Sequence, residues 1–490
     1  MSNWDIVKIF SAFKGLSILI ANNKFAIDNQ DISSENLVID SRKLDKSSIF
    51  LAIKGENHDG NNFLQEVIDK GCKIAIISDS AIFKKFYDID IALFLVTDGL
   101  QALNQLAIYQ RSLADNIKII AITGSVGKTT TKEILKLALS PFGKTYATSG
   151  NLNNHIGLPL TICNMPLDSD FAILEMGMNH FNEIRPLSMM ARPHLAIITN
   201  IGTAHLENFA NQEEIAIAKS EIFDGLHNNQ LEFSKILINY DSQFYQTLYN
   251  RALSYKSKLK DLEILNFGHQ ESAIFQIKNI DIESYQSCIV NVNINYQSEQ
   301  KIVNFKLTTI AKSVVENSII ALATLELFNL DLKKGLKELE KFKPAIGRGG
   351  IIEINNDKYS KLLIIDDSYN SSLSSIKAGL EFARIIKSEL QKRRLIIAIG
   401  DMLELGSKSD EIHLEAIELA INSEPDLILL IGERMNSNSN IAINKIGQKI
   451  LQFPDSQSAA KEIDKILQSD DLLYVKGSRG IKMENIYIKI

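Results

Sequence analysis

The densest chemistry in this 490-residue chain lies in Thr123-Gly124-Ser125-Val126-Gly127-Lys128-Thr129-Thr130, between an apolar strand and a helix. A Gly-rich turn in that setting aims backbone N–H groups and a helix N-terminus at phosphate oxygens. Lys128 would neutralise β/γ-phosphates there, and the Thr129 hydroxyl would ligate Mg²⁺. The common spacing G-x-x-x-x-G-K-[ST] asks for Gly at position 122, where the chain has Ile122, so this loop is a shortened variant. A chance Gly-Lys-Thr turn is the competing reading, and the strand–turn–helix context argues against it.

Other polar residues fall at the ends of apolar strands. Glu175 ends the apolar strand in FAILEMG, where a carboxylate has little packing value but suits a hard, oxygen-seeking cation. His205 follows HLAIITNIG in the same relation; alone, it reads equally well as a hydrogen-bonded loop histidine. Lys219 reads as the start of a helix and, in isolation, as a solvated surface lysine. Arg348, in a Gly-flanked loop, could bring a rigid fork donor to a phosphate from another domain or form a salt-bridged hinge. Asp367 ends the apolar strand in LLIIDDSYN, with Asp366 a structural alternative. Ser41 and Arg42 in DSRKL, and Lys54, Gly55 and His58 in KGENHDG, offer donors suited to a diphosphate or turns with solvated charge. Asn151, Asn153 and Asn154 could present amides to a peptide or serve turn chemistry.

The elements that must hold these groups alternate. Short apolar strands and amphipathic helices recur through three blocks, the signature of parallel sheets covered on both faces. The expected fold class is α/β with three domains, near residues 1–100, 101–343 and 344–490, as a length of 490 residues allows. Residues 274–308 differ, reading as polar-alternating strands of an antiparallel edge. Ligands in such sheets bind beyond the carboxyl ends of the strands. A net charge of -6 argues against nucleic acid as a partner. Cys72, Cys163 and Cys288 are too few and too separated for a disulfide framework, and without CxxC or HExxH a zinc site is not expected. No apolar run approaches the roughly 18 residues of a membrane span, and the N-terminus is not a secretory signal, so a cytoplasmic protein without membrane insertion is expected.

Eight segments in fixed order sharpen the reading: NLNNHIG (151–157), EMGMNH (175–180), TAHLE (203–207), AKSEIF (218–223), Gly347-Arg348, DDSYN (366–370), GDMLELG (400–406) and VKGSRG (475–480). With the short phosphate loop, they make nearly the whole chain resemble the ATP-dependent Mur ligase family. The resemblance is strongest to members that join D-Ala-D-Ala to UDP-MurNAc-tripeptide in peptidoglycan synthesis. It implies a small N-terminal UDP-binding domain, a central ATPase domain and a C-terminal Rossmann-like domain for the amino-dipeptide, acting as a monomer. It also implies ATP bound by Gly124, Ser125, Gly127, Lys128, Thr129 and Thr130. Arg348 would reach the γ-phosphate, Asn317 the adenine and Asp367 the ribose, with Tyr369 and Asn370 nearby. Two Mg²⁺ ions would be held by Thr129, Glu175, His205 and a carbamylated Lys219. Ser41, Arg42, Lys54, Gly55 and His58 would cradle the UDP group, and Asn151, Asn153 and Asn154 the peptide. The family's usual H-N-x-x-N before the adenine contact is replaced around Ser313 and Val314. Implied catalytic groups are Lys128, Lys219, His205 and Arg348.

Three alternatives stand beside this. A folylpolyglutamate synthetase uses similar acyl-phosphate chemistry but lacks a UDP-sugar domain, which the DSRK and KGENHDG segments disfavour. The ligase adding the preceding residue typically carries D-N-P-R, absent here. A non-enzymatic nucleotide-binding scaffold would not need Glu175, His205 and Lys219 together.

Overall fold

The computed structural model describes residues 4–14, 19–21, 32–203, 206–226, 234–259, 261–390, 394–443, 450–488 and 490. Three successive sheets dominate it. The first runs Leu19–Ala21, Ala92–Leu95, Ile74–Ile77, Ser48–Leu51, Asn36–Val38, parallel except at the Leu19–Ala21 edge. The second has nine strands. Its parallel part places Thr145–Ala147, Phe171–Glu175, Lys118–Thr123, Leu195–Ile198, Ser234–Asn239, Leu262–Gly268 and Phe275–Ser284 side by side. Ser287–Tyr296 and Glu299–Leu307 extend it as the antiparallel edge expected for 274–308. In the third sheet, Gly350–Ile354 is antiparallel to Leu362–Asp367, and Leu472–Lys476, Leu395–Gly400, Leu427–Ile431 and Ile450–Phe453 continue in parallel. The fold is therefore α/β throughout.

Local sequence explains these elements. Phe171–Glu175 and Leu195–Ile198 are buried at every position, because helices cover both faces of a parallel sheet. The helix Lys128–Leu139 sinks Ile134, Leu135, Ala138 and Leu139 into the core. It packs there against Lys312–Leu327, a helix buried around most of its circumference. The helix Gly99–Leu113 starts where the Asp98 carboxylate accepts the Gln101 N–H at 2.7 Å. Near its end, buried Arg111 donates to Ala191 O at 2.7 Å, and to Ala114 O and Arg192 O at 3.1 Å. One guanidinium thus satisfies carbonyls at two helix ends.

Lys219 departs from expectation: it closes the helix Gln212–Ser220 rather than opening one. The start lies upstream because Asn211 accepts the Glu214 N–H at 3.0 Å and Glu213 and Glu214 favour the positive helix end. Nor is Lys219 solvated, since the side chain is buried. Among the described residues no helix is long and apolar enough to cross a membrane, and the three cysteines are buried and free.

Candidate functional site

Two sheets point their strand ends at one cavity of about 500 Å³. The central sheet contributes the phosphate loop, which leaves Thr123 and enters its helix at Lys128. Gly127 adopts φ +88°, and a Cβ there would stand 3.0 Å from the Asn317 amide, so a side chain is excluded by conformation and by space. The Ser125 N–H donates to Asn200 O at 2.8 Å, tying the loop to the neighbouring strand end. Lys128 Nζ folds back on Gly124 O at 2.7 Å. Burial of its ammonium pushes its pKa down; nearby Glu175 opposes the shift and Arg348 adds to it.

Glu175 is buried at the end of its strand, and neutral donors hold both its oxygens. Thr129 Oγ1 donates to Oε2 at 3.0 Å and Asn153 Nδ2 to Oε1 at 2.8 Å. Its own N–H donates to Thr148 Oγ1 at 3.0 Å. Hydroxyl, amide and carboxylate oxygens so grouped match a Mg²⁺ ion that keeps waters and phosphate oxygens in most of its positions. Among the described residues there is no cluster of three His, Cys, Asp or Glu that would form an all-protein cage. Lys219 makes no side-chain hydrogen bond or ion pair with a described residue. Its ammonium is pushed well below the ordinary lysine value, first by burial and then by the charge of Lys128.

The C-terminal sheet supplies the opposite wall. Asp366 anchors the loop that carries Arg348, its Oδ2 accepting the Gly347 N–H at 2.7 Å; it is structural. Asp367 Oδ2 accepts from Lys476 Nζ at 2.6 Å and Tyr474 OH at 3.3 Å, and Oδ1 has no partner among the described residues. Burial raises the pKa of this carboxyl, with Lys476 working against the shift. The Arg348 guanidinium stacks 4.2 Å from the centre of the Tyr369 ring.

The cavity brings together Ser125, Gly127, Lys128, Thr129, Thr130, Asn151, Asn153, Glu175, Asn317, Arg348, Asp367, Tyr369 and Asn370. Gly124 sits behind it, against Thr199. Ser313 faces it too, whereas Val314 is buried in the core. Asn154 is spent on turn chemistry, its Oδ1 accepting from Ile156 N at 3.2 Å and Gly157 N at 2.8 Å. Ser41, Arg42, Lys54, Gly55 and His58 do not line this cavity. Arg42 is paired with Asp40 through two 2.9 Å bonds, Ser41 Oγ donates to Glu66 at 3.0 Å, and Gly55 N donates to His58 O at 2.8 Å. His205 lies outside the described residues. Two cations carry no role in the sequence reading, Lys476 and Arg479; their signal was there, in polar residues closing the apolar strand Leu472–Lys476.

A phosphate loop facing a guanidinium and a carboxylate from a second sheet defines a three-domain α/β protein built to hold a nucleoside polyphosphate between two of its sheets. Family models agree along the chain: the Mur ligase family catalytic domain matches residues 34–111, the Mur ligase middle domain 122–325, and the Mur ligase glutamate ligase domain 352–479. The UDP-N-acetylmuramoyl-tripeptide–D-alanyl-D-alanine ligase of Rickettsia prowazekii is 32% identical over 458 residues, covering 94% of this chain and 95% of that one. The ligase of the same name from Bacillus subtilis is 30% identical, covering 91% of each. The crystal structure of MurF from Acinetobacter baumannii superposes with a TM-score of 0.82 at 28% identity, covering 99% of this chain and 98% of that one. The chain belongs to the Mur ligase family.

Proposed function

We propose that this chain is an ATP-dependent ligase joining D-Ala-D-Ala to the terminal carboxylate of UDP-MurNAc-tripeptide, giving UDP-MurNAc-pentapeptide, ADP and phosphate. It would act in the cytoplasm as a monomer, its three functional regions lying near 1–100, 101–343 and 344–490. The carrying observation is the single cavity in which Lys128 and Glu175 face Arg348 and Asp367 across two sheets.

Loop N–H groups and the helix end at Lys128 would cradle the β- and γ-phosphates. Lys128, released from Gly124 O, and Arg348, reaching from the opposite wall, would spread the charge of the phosphoryl group as it moves to the substrate carboxylate. Asp367 Oδ1 suits a ribose hydroxyl, and Asn317 the base. The dipeptide amine then attacks the acyl phosphate and phosphate leaves, so no protein nucleophile is required and positioning carries most of the rate. Ser41, Arg42, Lys54, Gly55 and His58 would hold the UDP group, Arg42 exchanging Asp40 for the diphosphate, and Asn151 would meet the peptide. Thr129 and Glu175 would hold Mg²⁺, with His205 and a carbamylated Lys219 at a second ion; the metal supplies charge neutralisation on phosphate oxygens. A buried lysine amine held neutral is the reactive form toward CO₂, which supports the carbamate.

Phosphate release by the purified chain tests the reading. It should require both UDP-MurNAc-tripeptide and D-Ala-D-Ala, and running the tripeptides ending in diaminopimelate and in Lys side by side identifies the third residue. Release without either substrate would mean a generic nucleotide hydrolase, and nucleotide binding without turnover a binding module.

A further inference from the structure

A second, smaller cavity of about 270 Å³ adjoins the first, lined by Thr203, Glu404 and Arg479 among others. Tyr369 lines both cavities and so forms part of the partition between them. Its ring carries two cations. Arg348, from the first cavity, lies 4.2 Å from the ring centre, and Arg479, from the second, lies 5.7 Å from it. Arg479 keeps one ion pair, Nη1 to Glu484 Oε1 at 2.8 Å. Arg348 has no ion-pair partner among the described residues, so the ring is what orients it. Two guanidiniums repel, and both gain from the negative face of one aromatic quadrupole. The loop bearing Arg348 is pinned to the same residue, the Tyr369 N–H donating to Gly347 O at 3.0 Å.

We infer that Tyr369 is a positioning residue. Its ring holds Arg348 and Arg479 as a two-guanidinium clamp at the boundary between the nucleotide cavity and the neighbouring one. The inference rests on the ligase reading above. The transferring phosphoryl group and the anionic adduct formed by the incoming amine both develop charge, and the clamp offers planar donors to that charge from both cavities. The active property is the electron density of the ring, not its hydroxyl or its volume.

The test replaces Tyr369 with phenylalanine and with a graded series of fluorinated phenylalanines ending in pentafluorophenylalanine, which keeps the shape and reverses the quadrupole. Tyr369→Phe sets the reference, and relative to it the pentafluoro ring should lower kcat about tenfold, in step with fluorine count. Thermal midpoints should stay level across the series. A second readout needs no ligase turnover: affinity for β,γ-methylene ATP, measured by calorimetry, should fall along the series, while affinity for ADP should not. A flat series in both readouts overturns the inference, as does Tyr369→Phe falling as far as the pentafluoro ring. Absence of ligation by the unmodified chain would sink the functional reading alone, leaving the nucleotide affinities to decide the clamp.

Discussion

Lys219 has the least ordinary environment of the proposed site residues. A lysine with a buried side chain, no polar partner among the described residues and a neighbouring cation in Lys128 is held toward its neutral form. A neutral amine adds CO₂, and the resulting anion would relieve the mismatch with Lys128. Activity should therefore drop when dissolved CO₂ is stripped and return with bicarbonate. Lys219→Ala should lose at least about 100-fold in kcat, without bicarbonate rescue but with partial rescue by short carboxylic acids. Full activity of Lys219→Ala would remove the carbamate from the mechanism. Glu175 calls for a subtler probe. Asn153 grips one of its oxygens at 2.8 Å, so Asn153→Ala should release the carboxylate from its fixed orientation and raise the Mg²⁺ concentration needed for half-maximal activity. An unchanged Mg²⁺ dependence would instead leave Asn153 to the peptide. The loop residues Lys128 and Thr129 were readable from local spacing alone, because strand, turn and helix are contiguous. The burial of Lys219 was not, since it depends on what the end of its helix packs against.

Strands and helices set the pH response. His194, just before the strand Leu195–Ile198, accepts the Ile119 N–H on Nδ1 at 2.9 Å and so pins the start of the adjacent strand. Burial, with Arg111 and Lys118 nearby, depresses its pKa from 6.5 to about 4. The unfolded chain thus binds more protons between those values. The stabilisation is fully present above about pH 6.5 and is lost as pH falls through about 4, up to about 3 kcal/mol in total. His194→Asn keeps an acceptor but cannot titrate. Its thermal midpoint should fall less than that of the unmodified chain between pH 7 and pH 4.5, and equal losses would place the acid sensitivity elsewhere. The alternation of strands and helices, the antiparallel edge at 274–308 and the apolar stripe of Lys128–Leu139 follow from periodicity. The Tyr369–Arg479 contact does not, because it joins residues far apart in the chain through a loop geometry that no local pattern encodes. Arg42 shows the same limit: DSRKL reads as an open donor set, yet Asp40, two residues away, already occupies the guanidinium.

At the scale of the whole molecule, turns of the central and C-terminal regions meet away from the nucleotide cavity as well. The turn Leu206–Asn208 of the central region rests on the turn Gly406–Lys408, and the Glu207 N–H donates to Glu404 O at 3.4 Å. Gly406 has φ +57°, and a Cβ added to it would lie 3.2 Å from Glu207 Cα, so the approach depends on glycine. Because the cavity needs Lys128 from the central region and Arg348 and Asp367 from the C-terminal one, a change that pushes these turns apart should act on catalysis without touching the site. Gly406→Val adds a branched side chain where both conformation and space oppose it, at a cost of about 1–3 kcal/mol. Part of that strain is relieved if the turns separate. The variant should fold, bind the UDP-linked substrate normally, lose about tenfold in kcat, and show a larger radius of gyration by small-angle X-ray scattering with nucleotide bound. Unchanged kcat and scattering would mean that the contact between the turns contributes nothing to holding the sheets together, leaving the nucleotide and the Arg348 loop to do so alone.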